Sequence, residues 1–280
     1  MVHEAPTIGK RIKKRIFRNS IPAAKHETVT VDIVVPVLNE EAALPRCISA
    51  LIKYLSGKTD FEWMIVIADN GSTDRTWEIA LELAAKDQKI QVTKLEKRGR
   101  GGALKKAWIQ SDADVCCYMD ADLSTSLDHL QPLIRAVADD GYDLAIGSRL
   151  ISGARVTGRS LRREFTSRMY NLLFRTLFNT KIRDAQCGFK AISANAAKEL
   201  LPLVKDNGWF FDTELLIIGE QSEYRIKELP VTWEDDRNSS VNILSTGWHD
   251  VKGLLRLRFG GVPRPAVHHI DEHYNHKSYG

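Results

Sequence analysis

Two aspartates at i and i+2 close an apolar run: Asp120-Ala121-Asp122 directly follows Val115-Cys116-Cys117-Tyr118-Met119. Where a buried strand ends, carboxylates at this spacing can both reach the edge where a ligand docks. Together with phosphate oxygens they make the hard, oxygen-rich shell that Mg²⁺ or Mn²⁺ prefers. A helix N-cap cluster is the plainer reading of the same stretch, because Ser124 and Thr125 precede a helical pattern. Two further polar clusters follow apolar runs, Leu38-Asn39-Glu40 and Asp69-Asn70-Gly71-Ser72. The cationic candidates begin with Arg98-Gly99-Arg100-Gly101-Gly102, where backbone N–H groups and guanidinium suit a pyrophosphate; a solvated basic loop is the alternative. Arg163 and Ser167 are i, i+4 and share a helix face, and Arg149 directly follows a core strand. Paired arginines suit a phosphate monoester, whereas Arg162 and Arg168 read equally well as surface residues. Asp184, Asp212 and Glu214 are the remaining carboxylates, and Asp212 reads equally as a helix N-cap.

These residues need a frame that brings them together. Val31–Val37, Trp63–Ala68, Ile90–Leu95, Val115–Met119 and Leu144–Ile146 read as strands. Helical patterns fall near Glu41–Tyr54, Thr73–Ala85, Gly102–Gln110 and Ser126–Ala138. Near-continuously apolar strands alternating with helices predict an α/β fold, Rossmann-like, with a mostly parallel sheet flanked by helices. Ligands of such sheets bind outside the carboxyl ends of the strands, and the three acidic or polar clusters all sit there. Beyond Gly147 the pattern is less regular: a helix near Ser160–Phe178, one ending near Gly219, a strand near Arg225–Trp233 and an amphipathic helix near Leu244–Phe259.

Taken in order, Val34-Val35-Pro36-Val37-Leu38-Asn39-Glu40-Glu41, Ala68-Asp69-Asn70-Gly71-Ser72-Thr73-Asp74 and Asp120-Ala121-Asp122-Leu123 resemble the signatures of family 2 inverting glycosyltransferases of GT-A fold. Gly147-Ser148-Arg149, Arg163 with Ser167, Arg183-Asp184 through Gln186-Cys187-Gly188-Phe189-Lys190, and Trp209-Phe210-Phe211-Asp212 extend the likeness over roughly residues 31–240. The set is most similar to the polyprenyl-phosphate (dolichyl-phosphate) sugar synthases, in particular the dolichyl-phosphate β-glucosyltransferase branch. That resemblance implies a nucleotide-sugar donor held by Pro36, Leu38, Glu40, Asp69, Arg98, Arg100, Asp120 and Asp122, with Asp69 accepting a hydrogen bond from the base. It implies Mg²⁺ or Mn²⁺ on Asp120 and Asp122, and a polyprenyl-phosphate acceptor whose phosphate is held by Arg149, Arg163 and Ser167. Asp122, Asp184 and Arg149 are then the expected catalytic residues. A lipid phosphate is already anionic near neutral pH, its second pKa being about 6, so Asp184 is expected to position a substrate instead of acting as an obligatory base. Ser124 stands where the mannosyl branch commonly has Gln, which favours UDP-glucose over GDP-mannose as donor. A soluble transferase acting on a hydroxyl with Asp184 as base is one alternative, and a non-catalytic nucleotide-sugar-binding protein is another.

Composition bounds these readings. The 280 residues carry a formal charge of +4, a mild excess that gives no argument for nucleic acid as a partner. Cys47, Cys116, Cys117 and Cys187 lie scattered in apolar runs without a CxxC pair, as expected of reduced, buried thiols. No apolar run approaches the roughly 18 residues needed to span a bilayer, and no secretory leader is evident. The expected location is cytoplasmic and peripheral, on an anionic membrane surface or on a separate anchor protein. The basic stretch Lys10–Arg18 and the Leu244–Phe259 helix are the candidate membrane contacts; the plainer reading has the arm solvated and the helix packed on the domain. The expected divisions are a basic arm (1–30), a transferase domain (31–240), an amphipathic helix (241–260) and a tail (261–280). His268, His269, His273 and His276 in that tail lack an apolar framework for a zinc site.

Overall fold

The computed structural model describes residues 28–158, 160–235 and 243–266. The Lys10–Arg18 stretch and the tail histidines lie outside the described residues, as do the side chains of Arg163 and Leu244.

The chain runs β1 (Thr30–Val37), α1 (Leu44–Lys58), β2 (Glu62–Asp69), α2 (Thr76–Lys86), β3 (Ile90–Lys94), α3 (Arg100–Ile109) and β4 (Val115–Met119). It continues with a 3-10 turn at Leu127–His129, α4 (Leu130–Ala138), β5 (Leu144–Ser148), β6 (Arg155–Thr157), α5 (Leu161–Phe178) and β7 (Phe189–Ser193). The last elements are α6 (Ala194–Leu200), α7 (Phe211–Gln221), β8 (Ile226–Pro230), β9 (Thr232–Glu234) and α8 (Ile243–Gly260). Seven strands form one sheet in the order β3-β2-β1-β4-β7-β5-β8, and β6 pairs with β9 in a second, two-stranded sheet. All neighbours in the large sheet are parallel except those of β7, which runs antiparallel to both β4 and β5. This is the mostly parallel, helix-flanked sheet that the strand–helix alternation predicts.

Strand side chains alternate between two cores. Val31, Ile33, Val35 and Val37 of β1 pack beneath α1, α2 and α4, where Leu44, Ile48, Leu51, Ala80, Leu133 and Ile134 meet them. Val34 points the other way, to a core shared by α3, α5, α6, α7 and α8. A sheet covered on both faces must be apolar on both, which is why β4 and β5 are buried at every position.

Several elements of the second half differ from expectation, α6 and β6 among them, and two more bear on the site. The Arg225–Trp233 run is two strands: Val231 leaves β8, donates to the Ser148 carbonyl at 3.2 Å and accepts from Arg155 at 3.0 Å, so β9 joins β6. β7 was not read from the sequence as a strand at all. Its Phe189-Lys190-Ala191-Ile192-Ser193 carries a cation at its second position, yet lies inside the sheet between β4 and β5 with Lys190 1% exposed. α8 packs one face on the domain and leaves another exposed. Leu254 and Leu257 are buried, and a Cβ at Gly253 would fall 2.3 Å from the Phe210 ring, so one face is packed on the domain. Trp248, Leu255 and Phe259 on its other side are exposed.

Candidate active site

The carboxyl ends of β1, β2, β4 and β5 open at one edge of the sheet, and β7 enters from that same edge because it runs backwards. The Asp120 N–H donates to the Gly188 carbonyl at 3.2 Å, which seats the aspartate pair at the point where β4 and β7 part. A Cβ at position 188 would stand 1.7 Å from Asp120 Oδ2, so glycine there makes the room in which this carboxylate lies. Asp122 Oδ1 accepts the Ser124 N–H at 2.9 Å, and Leu123 between them holds φ 59. A branched side chain in the left-handed region costs on the order of 1–3 kcal/mol, a strain of the kind that collects at ligand sites. The residue that caps the following 3-10 turn is Ser126, not Ser124 or Thr125.

Asp120 does not stand alone. Arg100 Nη2 reaches its Oδ1 at 2.6 Å while Nη1 of the same guanidinium reaches Asp212 Oδ2 at 2.8 Å. The guanidinium lies 5.0 Å from the Tyr118 ring and 5.1 Å from the Trp209 ring. Asp212 is in the first turn of α7, after an N-cap position filled by Phe210, so it is not a helix cap. It accepts the Tyr118 hydroxyl at 2.5 Å and pairs with Lys190 at 3.1 Å. Burial opposes its charge, but Lys190 and Arg100 beside it hold its carboxyl below the usual range. Tyr118 moves the other way, pushed well up by burial and by the Asp212 charge, and stays a neutral donor. Lys190 and Tyr118 are site residues that the sequence reading missed. The signal was a lysine inside an apolar run, which must find partners once the run is buried.

The donor-side candidates lie at the ends of β1 and β2 and at the start of α3. Asp69 is fully buried at the end of β2, accepts the Ser72 N–H at 3.1 Å and lies 3.9 Å from Lys94 Nζ. Pro36 is buried within β1 beside Ala68, while Leu38 and Glu40 are half-buried in the loop that follows. The Glu40 N–H donates to the Thr76 hydroxyl at 2.7 Å, tying that loop to α2. Cys47 below them has its thiol pushed up to about 12, first by burial and then by the negative fields of Asp122, Glu40 and Asp120. Arg98 is exposed and packs beside Gly71 of the Asp69 loop. Gly99 and Gly101 let α3 begin against the 207–211 segment: a Cβ at Gly101 would be 2.3 Å from the Phe211 Cβ, and one at Gly99 2.6 Å from the Asn207 carbonyl.

Arg149 and Asp184, the acceptor-side candidates, form a buried pair. Arg149 Nε and Nη2 meet the two Asp184 oxygens at 2.7 and 2.8 Å, and the Arg149 N–H adds a bond of 3.0 Å. Asp184 is 0% exposed, and although burial works against its charge, the Arg149 guanidinium holds its carboxyl below the usual range. Ser167 is buried on α5, its hydroxyl 3.5 Å from Asn171 Nδ2, and Asn171 Oδ1 in turn receives the Ala185 N–H at 3.4 Å. The fold thus brings Ser167 towards the 184–187 segment but turns it inward. Glu214 is also buried, as a brace for α8: Arg256 meets its Oε2 at 2.9 Å.

Chemically, this edge holds two carboxylates suited to a hard divalent cation and a basic helix start beside them. Among the described residues no group of three or more His, Cys, Asp or Glu side chains converges to hold a metal unaided. An ion on Asp120 and Asp122 would need the rest of its shell from ligand oxygens and water.

Comparison with known proteins agrees with this geometry. The family model described as "Glycosyl transferase family 2" matches residues 32–201. "Glycosyltransferase AglD" of Haloferax volcanii is 37% identical over 251 residues, 88% of this chain but only 39% of its own length, so this chain spans well under half of that relative. "Dolichyl-phosphate beta-glucosyltransferase" of Drosophila melanogaster is 30% identical, covering 76% of this chain and 70% of the relative; that of Dictyostelium discoideum is 28% identical, covering 83% and 75%. Among solved structures, glucosyl-3-phosphoglycerate synthase from Mycobacterium tuberculosis, in complex with Mn²⁺, UDP and phosphoglyceric acid, superposes with a TM-score of 0.63 at 20% identity, over 84% of this chain and 80% of that one. At that identity the likeness speaks for the GT-A-like fold. With the family model covering more than half of the chain, including the acidic pair and β7, the chain belongs to glycosyl transferase family 2 and is a glycosyltransferase.

Proposed function

We propose that this enzyme transfers a hexose, with UDP-glucose the favoured donor, to the phosphate of a polyprenyl phosphate, inverting the anomeric carbon to give a β-linked polyprenyl-phosphate sugar. The observation that carries this reading is the state of Asp184. Its carboxylate is wholly buried, bonded through both oxygens to Arg149 and held ionised below the usual range, so it has neither the access nor the basicity to deprotonate a hydroxyl. An acceptor that arrives as an anion needs no such base. The names of the dolichyl-phosphate relatives point to the same acceptor class.

In this mechanism Asp120 and Asp122 would hold Mg²⁺ or Mn²⁺, and the bound cation would offset negative charge on the departing nucleoside diphosphate. Arg100 and the start of α3 add positive charge at the same leaving group, and Arg98 borders the Asp69 loop where the nucleoside sits. The acceptor phosphate oxygen attacks the anomeric carbon from the face opposite the diphosphate, forming one C–O bond as the other breaks. Asp184 fixes the Arg149 plane, leaving Nη1 outside the pair for the acceptor, with Arg163 as its expected partner. Ser167 supports this wall from inside through Asn171. Rate enhancement then rests on positioning and electrostatics.

The lipid acceptor calls for a membrane surface. No helix of the described residues is long and apolar enough to cross a membrane. α5, however, exposes Phe165, Met169, Leu172 and Leu173 at helical spacing and packs beside α8, which exposes Trp248, Leu255 and Phe259. Exposed Arg168, Arg175, Lys252 and Arg258 border these side chains, a pattern suited to an anionic bilayer. Two measurements test the reading. Incubation with Mg²⁺ or Mn²⁺, polyprenyl phosphate and a panel of UDP- and GDP-sugars should yield a glycolipid, most with UDP-glucose; no glycolipid from any donor refutes it. Sedimentation with phosphatidylglycerol-containing vesicles should fall about tenfold for the L172E/F259E double variant; unchanged binding removes the α5–α8 face from the account.

A further inference from the structure

The metal-binding carboxylate Asp120 is already engaged by a cation of the protein. Arg100 spans two carboxylates, and its two bonds are unequal in setting. The Asp212 side chain is 4% exposed and is also held by Tyr118 and Lys190, whereas the Asp120 side chain is 42% exposed. Packed between the Tyr118 and Trp209 rings and anchored on Asp212, the guanidinium is fixed in plane with one arm extended to Asp120. The Asp212 arm is shielded from solvent, while the Asp120 arm, though the shorter, is partly open to it. Gly188, without a Cβ, leaves the space in which the Asp120 carboxylate lies.

We infer that Arg100 is an internal placeholder for the divalent cation: it neutralises Asp120 when no metal is bound and surrenders that carboxylate to the metal. The Nη1 bond to Asp212 persists, so Nη2 is released beside the metal site, where an incoming diphosphate can take it. The exchange makes metal alone a poor ligand, because it must displace a formed ion pair; metal arriving with a diphosphate gives Arg100 a new partner. This rests on the assignment of Asp120 and Asp122 as metal ligands and adds to it the competition by Arg100.

The test is binding of Mn²⁺ alone, followed by electron paramagnetic resonance, in the wild type, R100M and R100K. Methionine removes the charge, while lysine keeps it but lacks the fork needed to reach both carboxylates. Mn²⁺ affinity should rise about three- to tenfold in both variants, the loss of one partly exposed ion pair. If R100M binds more tightly but R100K matches the wild type or binds more weakly, only the local charge matters and the placeholder role is overturned. Unchanged or weaker binding in both variants overturns it as well. A wild-type titration of Mn²⁺ with UDP present separates the two levels: binding there with unaltered variants sinks the exchange alone, whereas no binding there sinks the metal assignment too.

Discussion

Replacing Asp184 with Asn separates a positioning carboxylate from a general base. Arg149 donates to Asp184 through Nε, Nη2 and its backbone N–H at 2.7, 2.8 and 3.0 Å, and the carboxylate has no exposed surface. Asparagine keeps the shape but offers one acceptor oxygen and turns an NH₂ group towards the guanidinium. Removing one partner of a buried pair costs about 3–5 kcal/mol, and the retained amide oxygen places this change near the lower end, about 3 kcal/mol. At about 2–4 °C per kcal/mol for a chain of this size, Tm should fall by about 6–12 °C. The pH signature has a definite sign. A carboxyl whose folded pKa is depressed adds stability above its unfolded value of about 3.9 and loses it as pH falls through the folded value, so D184N should lack that acid-side loss. R149M/D184L, which removes both charges, should recover most of the stability. Thermal unfolding and kcat with a polyprenyl-phosphate acceptor are measured together, and kcat should fall by no more than about tenfold. A loss of about 10³-fold in kcat with Tm unchanged would refute the reasoning, because a general base contributes about 10²–10⁴.

Two further substitutions probe the frame around the site. Gly188→Ala places a Cβ 1.7 Å from Asp120 Oδ2, so it should displace that carboxylate and reduce calorimetric binding of Mn²⁺ with UDP by at least about tenfold while the far-UV circular dichroism is retained; undiminished binding would remove Asp120 from the metal site. Asp250, 1% exposed on α8, holds Gln186 Nε2 at 2.7 Å and has its carboxyl raised to about 7, chiefly by burial. Because its folded pKa lies above the unfolded one, its contribution to stability is greatest at low pH and declines as pH rises towards about 7; D250N should abolish that decline and stabilise the protein at pH 8, and a variant as pH-sensitive as the wild type would contradict it.

Much of the donor half of the site was legible in the chain itself. The apolar runs of β1, β2 and β4 each end in a polar cluster, and the rule that parallel sheets bind ligands at their carboxyl ends places Leu38–Glu40, Asp69 and Asp120–Asp122 together without coordinates. β7 was not legible, because five residues with a lysine at the second position carry no strand period. Its pairing partners lie far away in sequence, and its antiparallel entry between β4 and β5 is a choice only the assembled sheet makes.

By itself the sequence determined the parallel α/β frame, the identity of the charged residues at its ligand edge and the family they resemble, since these depend on local period and order. The tertiary structure decided which charges meet. Arg100 with Asp120 and Asp212, Lys190 with Tyr118 and Asp212, and Arg149 with Asp184 are pairs 20 to 112 residues apart or buried together by β7. Burial makes such pairing obligatory, because an isolated charge inside a low-dielectric core is too costly, but where each partner comes from is set by strand order and helix packing. The aspartate pair that reads in sequence as a ready metal site is, in the folded protein, one carboxylate already claimed by an arginine and one bonded to its own turn.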